Sequence, residues 1–338
     1  MRREFHTILV IRLKYMGDVL LATPLFRDLR HHYPQAEISF LTRNVYTPLL
    51  EQNPFVDEVI TIDSDFKPSD LLSRLREKKF DLVLDLSGTW RSAVLSRLTG
   101  AGMRLGRPDG LRQVFYNVHV ARGSATPDAM AATQAFLQPL HIPGRKRWPE
   151  MYLTRDEREW GASYMLSGGI VLDRPLIAIH PGSRWENKIW PFERFVELVE
   201  KFVAREWQVI FVQGNPDEAP MLQRMMDRAP NAVLCADNLP LRRLASVLSQ
   251  ADVFVSNYSG LLHLGVAVGT RVVGIFGPDE PDFWFPYATM AGHQAVHEEI
   301  ECRPCQKNYC PLGTLDCLTR IEGEMVFEAV ARSLVGVR

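Results

Sequence analysis

The stretch that decides the fold is HTILVIRLKYMGDVLLATP, residues 6–24. Its first part, His6–Leu13, is rich in β-branched and aliphatic residues, which is typical of a buried strand. From Asp18 onward apolar residues recur at helical spacing, which predicts a helix over Asp18–Tyr33. A strand that passes through a glycine into a helix is the basic unit of a parallel sheet covered by helices.

The alternation of strand and helix continues along both halves of the chain. Further strands are predicted at Glu37–Leu41, Glu58–Ile62, Asp81–Leu86, Leu176–Ile179, Gln208–Val212, Val253–Ser256 and Arg271–Phe276. Helices are predicted at Ser69–Lys78, Pro191–Arg205, Pro216–Arg228, Leu241–Ser249 and Leu261–Val268. This pattern predicts an α/β fold of two Rossmann-like domains, whose parallel sheets face a central cleft that holds the ligands.

Length and composition agree with two globular domains. A chain of 338 residues exceeds what one core usually holds, and its 46% hydrophobic and 23% charged residues are ordinary. The turn-rich segment Pro143–Pro149 indicates a boundary. We therefore expect a first domain over 1–150, a linker over 151–175, a second domain over 176–321, and a C-terminal helix over 322–338 that packs back toward the first domain. No run of 18 apolar residues occurs, so we expect a cytoplasmic protein without a membrane span.

Basic residues are concentrated in the first half. In residues 1–150 Lys and Arg exceed Asp and Glu by five, whereas the remainder has six more acids than bases. Between Arg91 and Arg122 only Asp109 opposes a series of arginines, which are Arg97, Arg104, Arg107 and Arg112. Such a basic wall, if it is more than chance, suits a phosphorylated or carboxylated ligand. Nucleic acid is disfavoured because the net charge is −1 and aromatic residues do not alternate with the cations.

Asp18 follows the first strand and opens the first helix, directly after Gly17. Gly17 permits close approach of a ligand to the backbone, and a helix N-terminus favours anions. Asp18 stands where an N-cap is expected, which would be worth ~1 kcal/mol to the helix. Alternatively it is a general base, which contributes ~10²–10⁴-fold to a rate.

Two loops of the second half have the composition of phosphate-binding loops. The loop 180–188, HPGSRWENK, contributes Gly182, Ser183 and Lys188 after a strand and before a helix. The loop 256–263, SNYSGLLH, places Ser259 and Gly260 at a helix start, where backbone N–H groups bind phosphates. These features favour phosphate binding over an ordinary surface loop.

Two further residues of the second half have both a functional and a structural interpretation. His263 lies about one helical turn after Ser259, so it either contacts a ligand or packs on the helix face. Glu218 follows a strand, so it either binds ribose hydroxyls or stabilises the first turn of a helix.

Four cysteines lie close together near the C-terminus, at Cys302, Cys305, Cys310 and Cys317. Four thiols in a short, turn-rich segment could bind a structural zinc ion tetrahedrally. Their spacing differs from that of two separated CxxC pairs, so local disulfides or a packed loop with free thiols are the alternatives.

Taken together these motifs resemble glycosyltransferase family 9, the lipopolysaccharide heptosyltransferases. The resemblance rests on Met16–Leu20 with Pro24, His180–Ser183 with Lys188 and Trp190-Pro191, Ser256–His263, and Phe276-Gly277-Pro278. These segments occur in the family's order and spacing along nearly the whole chain. The Cys-rich segment also resembles that of many members.

The resemblance implies a GT-B fold and an inverting glycosyltransferase that transfers heptose from ADP-heptose to the inner core of lipopolysaccharide, without a metal or other cofactor in catalysis. It implies that Asp18 is the catalytic base, that Ser183 and Lys188 bind the donor phosphates, and that Ser259, Gly260 and His263 bind the diphosphate and the sugar. The residues themselves lead us to expect Gly17, Arg91 and Arg107 on the acceptor side and Gly182, Glu218 and Tyr258 on the donor side. A lipid-linked acceptor further implies transient association with the inner face of the inner membrane.

One residue departs from the family pattern. Many members have an acidic residue between Asn257 and Ser259, where this chain has Tyr258. The substitution leaves open a transferase or epimerase that uses another nucleotide-sugar, or a non-catalytic protein that binds nucleotide-sugars or glycolipids.

Overall fold

The computed structural model describes residues 4–63, 68–121, 128–145, 148–171, 173–228, 234–236, 238–288 and 292–336. The chain divides into two compact units, Met1–Tyr152 and Leu153–Arg338. Arg122 and residues 146–147 of the predicted boundary segment lie outside the described residues.

The first unit is built on a parallel sheet with the strand order β3-β2-β1-β4-β5-β6. Its strands are β1 (Thr7–Ile11), β2 (Glu37–Arg43), β3 (Glu58–Ile62), β4 (Leu82–Asp85), β5 (Met103–Gly106) and β6 (Val118–His119). Its helices are α1 (Met16–His32), α2 (Pro68–Glu77), α3 (Trp90–Leu98) and α4 (Ala129–Gln134), with 3-10 helices at Asn44–Leu49, Gly110–Phe115 and Ala135–Leu140. The central strand β1 is buried from Ile8 to Ile11, because helices and loops cover both faces of a parallel sheet.

The second unit repeats this topology with the order β12-β11-β10-β7-β8-β9. Its strands are β7 (Leu176–His180), β8 (Gln208–Val212), β9 (Leu234–Ala236), β10 (Val253–Asn257), β11 (Arg271–Ile275) and β12 (Gln294–Val296). Its helices are α5 (Arg155–Ser167), α6 (Phe192–Val203), α7 (Ala219–Arg228), α8 (Leu241–Leu248), α9 (Gly260–Ala267), α10 (Pro281–Trp284), α11 (Asp316–Thr319) and α12 (Gly323–Leu334), with 3-10 helices at Glu186–Lys188 and Pro216–Glu218. The prediction of an α/β chain with two Rossmann-like sheets is confirmed.

Each sheet has a position where the direction of winding reverses. In the first sheet β1 pairs with both β2 and β4, and in the second β7 pairs with both β8 and β10. Ligands of open α/β sheets bind at such positions, beyond the carboxyl ends of the strands. The loops that follow β1 and β4, and those that follow β7 and β10, are therefore the places where binding residues are expected.

Helices lie at both ends of the second unit. The predicted linker contains α5, which packs on α8 and belongs to the second unit. Gly161 permits this close approach, because a Cβ there would overlap Ser246. In α12, Val326 and Val330 are fully buried in the core of the second unit, and the packing of this helix toward the first domain stays a prediction.

Candidate active site

A cavity of about 600 Å³ lies at the winding reversal of the first sheet. The loop after β1, the start of α1 and the loop after β4 line it. Its lining residues are Arg12, Leu13, Lys14, Tyr15, Asp18, Arg43, Ile62, Asp63, Ser87, Thr89 and Arg91. Four of these side chains are cationic and two are carboxylates, so the cavity favours an anionic ligand. The structure thus brings together the predicted residues Asp18 and Arg91.

Asp18 is the third residue of α1, because the helix begins at Met16, two residues before the predicted start. The expectation of an N-cap at Asp18 is therefore wrong in position, and Tyr15 is the N-cap. Asp18 nevertheless stabilises the helix start, since its Oδ2 accepts a hydrogen bond of 2.9 Å from the Tyr15 N–H. Gly17 lies buried beside it in the first helical turn.

Arg12 is the second partner of Asp18, and the sequence analysis did not identify it. Its guanidinium forms an ion pair with Oδ1 of Asp18 and donates a hydrogen bond to the Leu86 carbonyl. The Arg12 and Asp18 side chains are 23% and 19% exposed, so the pair is partly shielded from water. These contacts fix the carboxylate of Asp18 at the wall of the cavity while leaving it accessible.

Asp85, the last residue of β4, shapes the opposite wall. Its Oδ1 accepts hydrogen bonds from the Ser87 and Gly88 N–H groups, and its Oδ2 accepts one of 2.7 Å from the Tyr116 hydroxyl. Burial raises the pKa of Asp85, while these hydrogen bonds act against that increase. Asp85 thereby holds the turn that carries Ser87 and Thr89 into the cavity.

Arg107 does not line this cavity. Its guanidinium donates to the Ala132 carbonyl at 2.8 Å and lies 5.5 Å from the centre of the Phe136 ring. These contacts tie the end of β5 to α4 and the following 3-10 helix. Arg107 thus has a structural role in the first unit, and its acceptor contact stays a prediction.

The two predicted phosphate-binding loops lie side by side in the second unit. Asn257, at the end of β10, donates from Nδ2 to the Pro181 carbonyl at 2.7 Å, and its Oδ1 accepts from the Trp190 N–H at 3.0 Å. Asn257 thus joins both ends of the loop after β7, which contains Gly182 and Ser183. Its buried amide is a structural determinant of the site that composition alone did not indicate.

Glu218 is a structural carboxylate. Its Oε2 lies 3.0 Å from Nε2 of His180 and accepts from the Gly214 N–H at 2.7 Å, while its Oε1 accepts from Nδ2 of Asn215. Burial raises the pKa of Glu218, but the hydrogen bond and charge of His180 outweigh it and leave the pKa below its ordinary value. A Cβ on Gly182 would overlap Glu218, so the glycine admits this carboxylate beneath the loop. Glu218 thus has a structural role beneath the loop, and its ribose contact stays a prediction.

Lys188 is held by two groups. Its ammonium lies 2.8 Å from Oδ2 of Asp279 and 5.1 Å from the centre of the Tyr258 ring. Burial raises the pKa of Asp279, and the charges of Lys188 and then Arg303 oppose that increase. The guanidinium of Arg303 also donates to the carbonyls of Gly277 and Asp279, which fixes their turn. The sequence alone did not identify Asp279 as the partner of Lys188.

Tyr258 belongs to an aromatic cluster. Its ring stacks on Phe276 with centroids 5.1 Å apart and lies near the rings of Trp284 and His263. His263 is buried in α9, and its Nδ1 lies 2.9 Å from the Tyr287 hydroxyl. His263 thus packs on the helix face, as its structural interpretation predicted. Its contact with the donor stays a prediction.

The start of α9 provides an anion-binding element beside this cluster. Ser259 is the N-cap, and its hydroxyl makes no capping hydrogen bond within the described part of the chain. The backbone N–H groups at Gly260 and after it belong to the first helical turn, where intrahelical partners are absent. These groups are suited to a phosphate.

The four clustered cysteines are free thiols. Among the described residues, which include all four, no three His, Cys, Asp or Glu side chains are arranged to hold a metal ion. A structural zinc site is therefore not found among these residues, whose thiols are free and, apart from that of Cys317, at least partly exposed. Burial and the neighbouring thiols raise the pKa of Cys317 to about 11, whereas backbone N–H groups, that of Leu315 foremost, lower the pKa of Cys310. The loop that contains these cysteines is tied to the loop after β7, because the Lys307 carbonyl accepts a hydrogen bond from Nδ2 of Asn187.

Similarity to known proteins extends over most of the chain. Residues 69–315 match the family described as glycosyltransferase family 9 (heptosyltransferase). Lipopolysaccharide heptosyltransferase 2 of Escherichia coli is 26% identical, with 84% of this chain and 86% of that protein covered. Lipopolysaccharide heptosyltransferase 1 of Pseudomonas aeruginosa is 27% identical, with 90% and 87% covered. The solved structure of the Escherichia coli ADP-heptose lipopolysaccharide heptosyltransferase II has a TM-score of 0.80 and 22% identity, with 97% and 98% covered. The fold is therefore the GT-B fold that the resemblance implied.

Proposed function

Since the chain belongs to glycosyltransferase family 9 and is a glycosyltransferase, we propose that it transfers heptose from ADP-heptose to the inner core of lipopolysaccharide, with inversion at the anomeric carbon. The observation that carries the proposal is the position of Asp18, fixed by Arg12 and Tyr15 at the wall of a cation-lined cavity. A carboxylate in that position can accept a proton from a hydroxyl of an anionic acceptor.

The acceptor side of the reaction rests on the first unit. Asp18 removes the proton of one acceptor hydroxyl, and the oxygen attacks the anomeric carbon of the donor from the face opposite the diphosphate. Lys14, Arg43 and Arg91, which line the same cavity, bind the acidic groups of the acceptor core. Gly17 allows the acceptor to approach the backbone at the start of α1.

The donor side rests on the second unit. Lys188, the Ser183 hydroxyl and the N–H groups at Ser259–Gly260 neutralise the charge that develops on the leaving diphosphate. Gly182 keeps the loop close to the donor, and Tyr258 and His263 form the wall nearest the sugar. No metal ion or other cofactor is needed for this single displacement.

Relatives support the choice of substrates. The two lipopolysaccharide heptosyltransferases match this chain at nearly equal identity, so they favour heptose transfer without favouring one position on the core. A lipid-linked acceptor further implies that the protein works in the cytoplasm at the inner face of the inner membrane. Among the described residues, no helix combines the length and the apolar character needed to cross a membrane.

The test is transfer by the purified protein. ADP-heptose and, separately, UDP- and GDP-sugars are offered with a heptose-deficient lipopolysaccharide core, and the product mass is measured. A gain of one heptose only with the ADP donor supports the proposal and makes Tyr258 a tolerated variation. Transfer of another sugar contradicts the donor assignment, and release of an isomerised nucleotide-sugar without acceptor product contradicts the reaction.

A further inference from the structure

The first unit carries an apolar surface that its own fold leaves exposed. On α3, Trp90 and Val94 are 55% and 38% exposed. On the 3-10 helix Gly110–Phe115, Leu111 and Val114 are 75% and 71% exposed. Single exposed apolar residues are common on protein surfaces, but a contiguous group marks an interaction site.

These four side chains lie on two elements that pack against each other. Trp90 and Val94 are four residues apart on an α-helix and share a face, and Leu111 and Val114 are three residues apart on a helix with three residues per turn. Helix α3 packs on the 3-10 helix, and the Trp90 ring lies 6.2 Å from that of Phe115. We call Trp90, Val94, Leu111 and Val114 the apolar patch.

Cations adjoin the apolar patch. Arg91 and Arg97 are exposed on α3. Arg97 follows Val94 by three residues on the same helix face and lines, with Arg76 and Lys79, a surface cavity of about 450 Å³. No acidic side chain belongs to the described lining of that cavity. The surface around the patch is therefore complementary to a layer of negative charges.

The apolar patch also adjoins the cavity that contains Asp18. Thr89 and Arg91, the neighbours of Trp90 in sequence, both line that cavity. A ligand anchored at the patch would thus present its polar part to the cavity over a short distance. This arrangement fits an acceptor whose hydrophobic part remains in a lipid layer.

We propose that the apolar patch docks on the surface of an anionic phospholipid bilayer. Trp90 provides an amphipathic ring for the interface, Leu111 and Val114 insert below the headgroups, and Arg97 binds lipid phosphates. The partner is a bilayer because exposed cations beside exposed apolar side chains match a layer of lipid phosphates above hydrocarbon. The inference rests on the proposed function, which gives the acceptor a lipid anchor, and it names the surface that meets the lipid.

The first experiment measures binding of the full chain to sedimented vesicles of phosphatidylcholine with and without phosphatidylglycerol. We expect binding to the anionic vesicles, and a loss of at least about tenfold in partition coefficient for L111S/V114S, because two side chains no longer enter the bilayer. R97Q should lose about fivefold. The control L166S alters an exposed leucine of α5 in the second unit, 52% exposed, and should bind within about twofold of the unaltered protein.

Equal binding of L111S/V114S and the unaltered protein would overturn the proposal, as would the absence of binding to anionic vesicles. The proposal would also be overturned if the unaltered protein bound no vesicles but formed a dimer that L111S/V114S could not form. The patch would then contact a second copy of the chain.

A second readout separates docking from the reaction. L111S/V114S should keep its kcat/KM on a water-soluble acceptor oligosaccharide and lose activity on the same acceptor embedded in vesicles. Equal losses on both acceptors would overturn the docking role. If neither protein transferred heptose while vesicle binding still required Leu111 and Val114, the proposed function would fail and the docking surface would stand.

Discussion

The ammonium of Lys188 lies 2.8 Å from Oδ2 and 3.0 Å from Oδ1 of Asp279, in a pair whose side chains are 13% and 7% exposed. Asp279 therefore holds the Lys188 ammonium near Tyr258, in the loop that follows β10. A buried carboxylate that loses its counter-charge is destabilising, so the two residues depend on each other. A bound diphosphate would compete with Asp279 for the same ammonium.

Removal of the Lys188 ammonium is expected to weaken donor binding. A hydrogen bond to a charged group contributes ~1.5–3 kcal/mol, so the KM for donor should rise about 10- to 100-fold in K188M, with the acceptor KM nearly unchanged. Steady-state kinetics with varied donor check this. The control K201A removes an exposed lysine that pairs with Glu324 on the surface and should change the donor KM less than about twofold.

The double variant K188M/D279N separates the loss of the ammonium from the strain of an unpaired carboxylate. It should unfold at a higher temperature than K188M, because no buried charge remains unpaired, and its donor KM should still be raised. A normal donor KM in the double variant would show that Lys188 does not bind the donor.

Replacement of Asp18 by Asn is expected to separate its two roles. The Asn oxygen can still accept from the Tyr15 N–H, so the start of α1 and the melting temperature should be nearly preserved. An amide cannot act as a base, so turnover should fall at least ~100-fold while donor affinity stays within about twofold. Turnover and donor binding by calorimetry are the measurements, and turnover close to normal in D18N would rule out the role as base.

The sequence predicted the sheets and the loops more securely than the partners of the site residues. Strand–helix alternation and the positions of Gly17, Gly182 and Gly260 are local signals, so they place the loops at strand ends without tertiary information. Asp279 is 91 residues away from Lys188, and no local pattern connects the two. The sequence therefore located the loops at the strand ends but not the neighbours that hold their side chains.

Glu218 and Arg107 show why the contacts of a site residue are harder to predict than its place in a loop. A carboxylate or an arginine after a strand can bind a ligand or tie neighbouring loops together. Which role applies depends on the groups that the fold brings near, here His180 for Glu218 and the Ala132 carbonyl for Arg107. For α3, the nine residues Trp90–Leu98 lack a clear apolar stripe, so periodicity did not predict this helix.

Addition of a single methyl group at Gly182 is expected to disturb the donor loop. The new Cβ would overlap the carboxylate of Glu218, which is held by His180, Gly214 and Asn215. Either the loop or the carboxylate must move, so G182A should lower the free energy of unfolding by ~1–3 kcal/mol and raise the donor KM. Denaturant unfolding and donor kinetics measure the two effects.

The matched control is G323A at the start of α12. A Cβ there would meet only Glu197 Oε2, at 3.7 Å, so the substitution should leave stability and donor KM within error or slightly improve the helix. If G182A behaved like G323A, the loop after β7 would not depend on the close approach to Glu218.

The Glu157–Arg242 pair should make the packing of α5 on α8 sensitive to acid. The hydrogen bond from Arg242 is the main reason that the pKa of Glu157 falls from 4.5 to about 2. A carboxyl whose pKa is lower in the folded state stabilises the fold above its unfolded pKa and loses this contribution as the pH falls toward the folded pKa. E157Q should therefore lower the free energy of unfolding by ~2–3 kcal/mol at pH 7, since each pKa unit corresponds to ~1.4 kcal/mol and the side chain is 20% exposed. The difference from the unaltered protein should shrink between pH 4.5 and pH 2.

Urea unfolding across this pH range measures the difference in the free energy of unfolding. The control is E159Q, because Glu159 forms an exposed pair with Arg155 and should contribute less than ~1 kcal/mol. A difference for E157Q that stayed constant down to pH 2 would mean that the lost contacts of the side chain, and not its charge, account for the destabilisation.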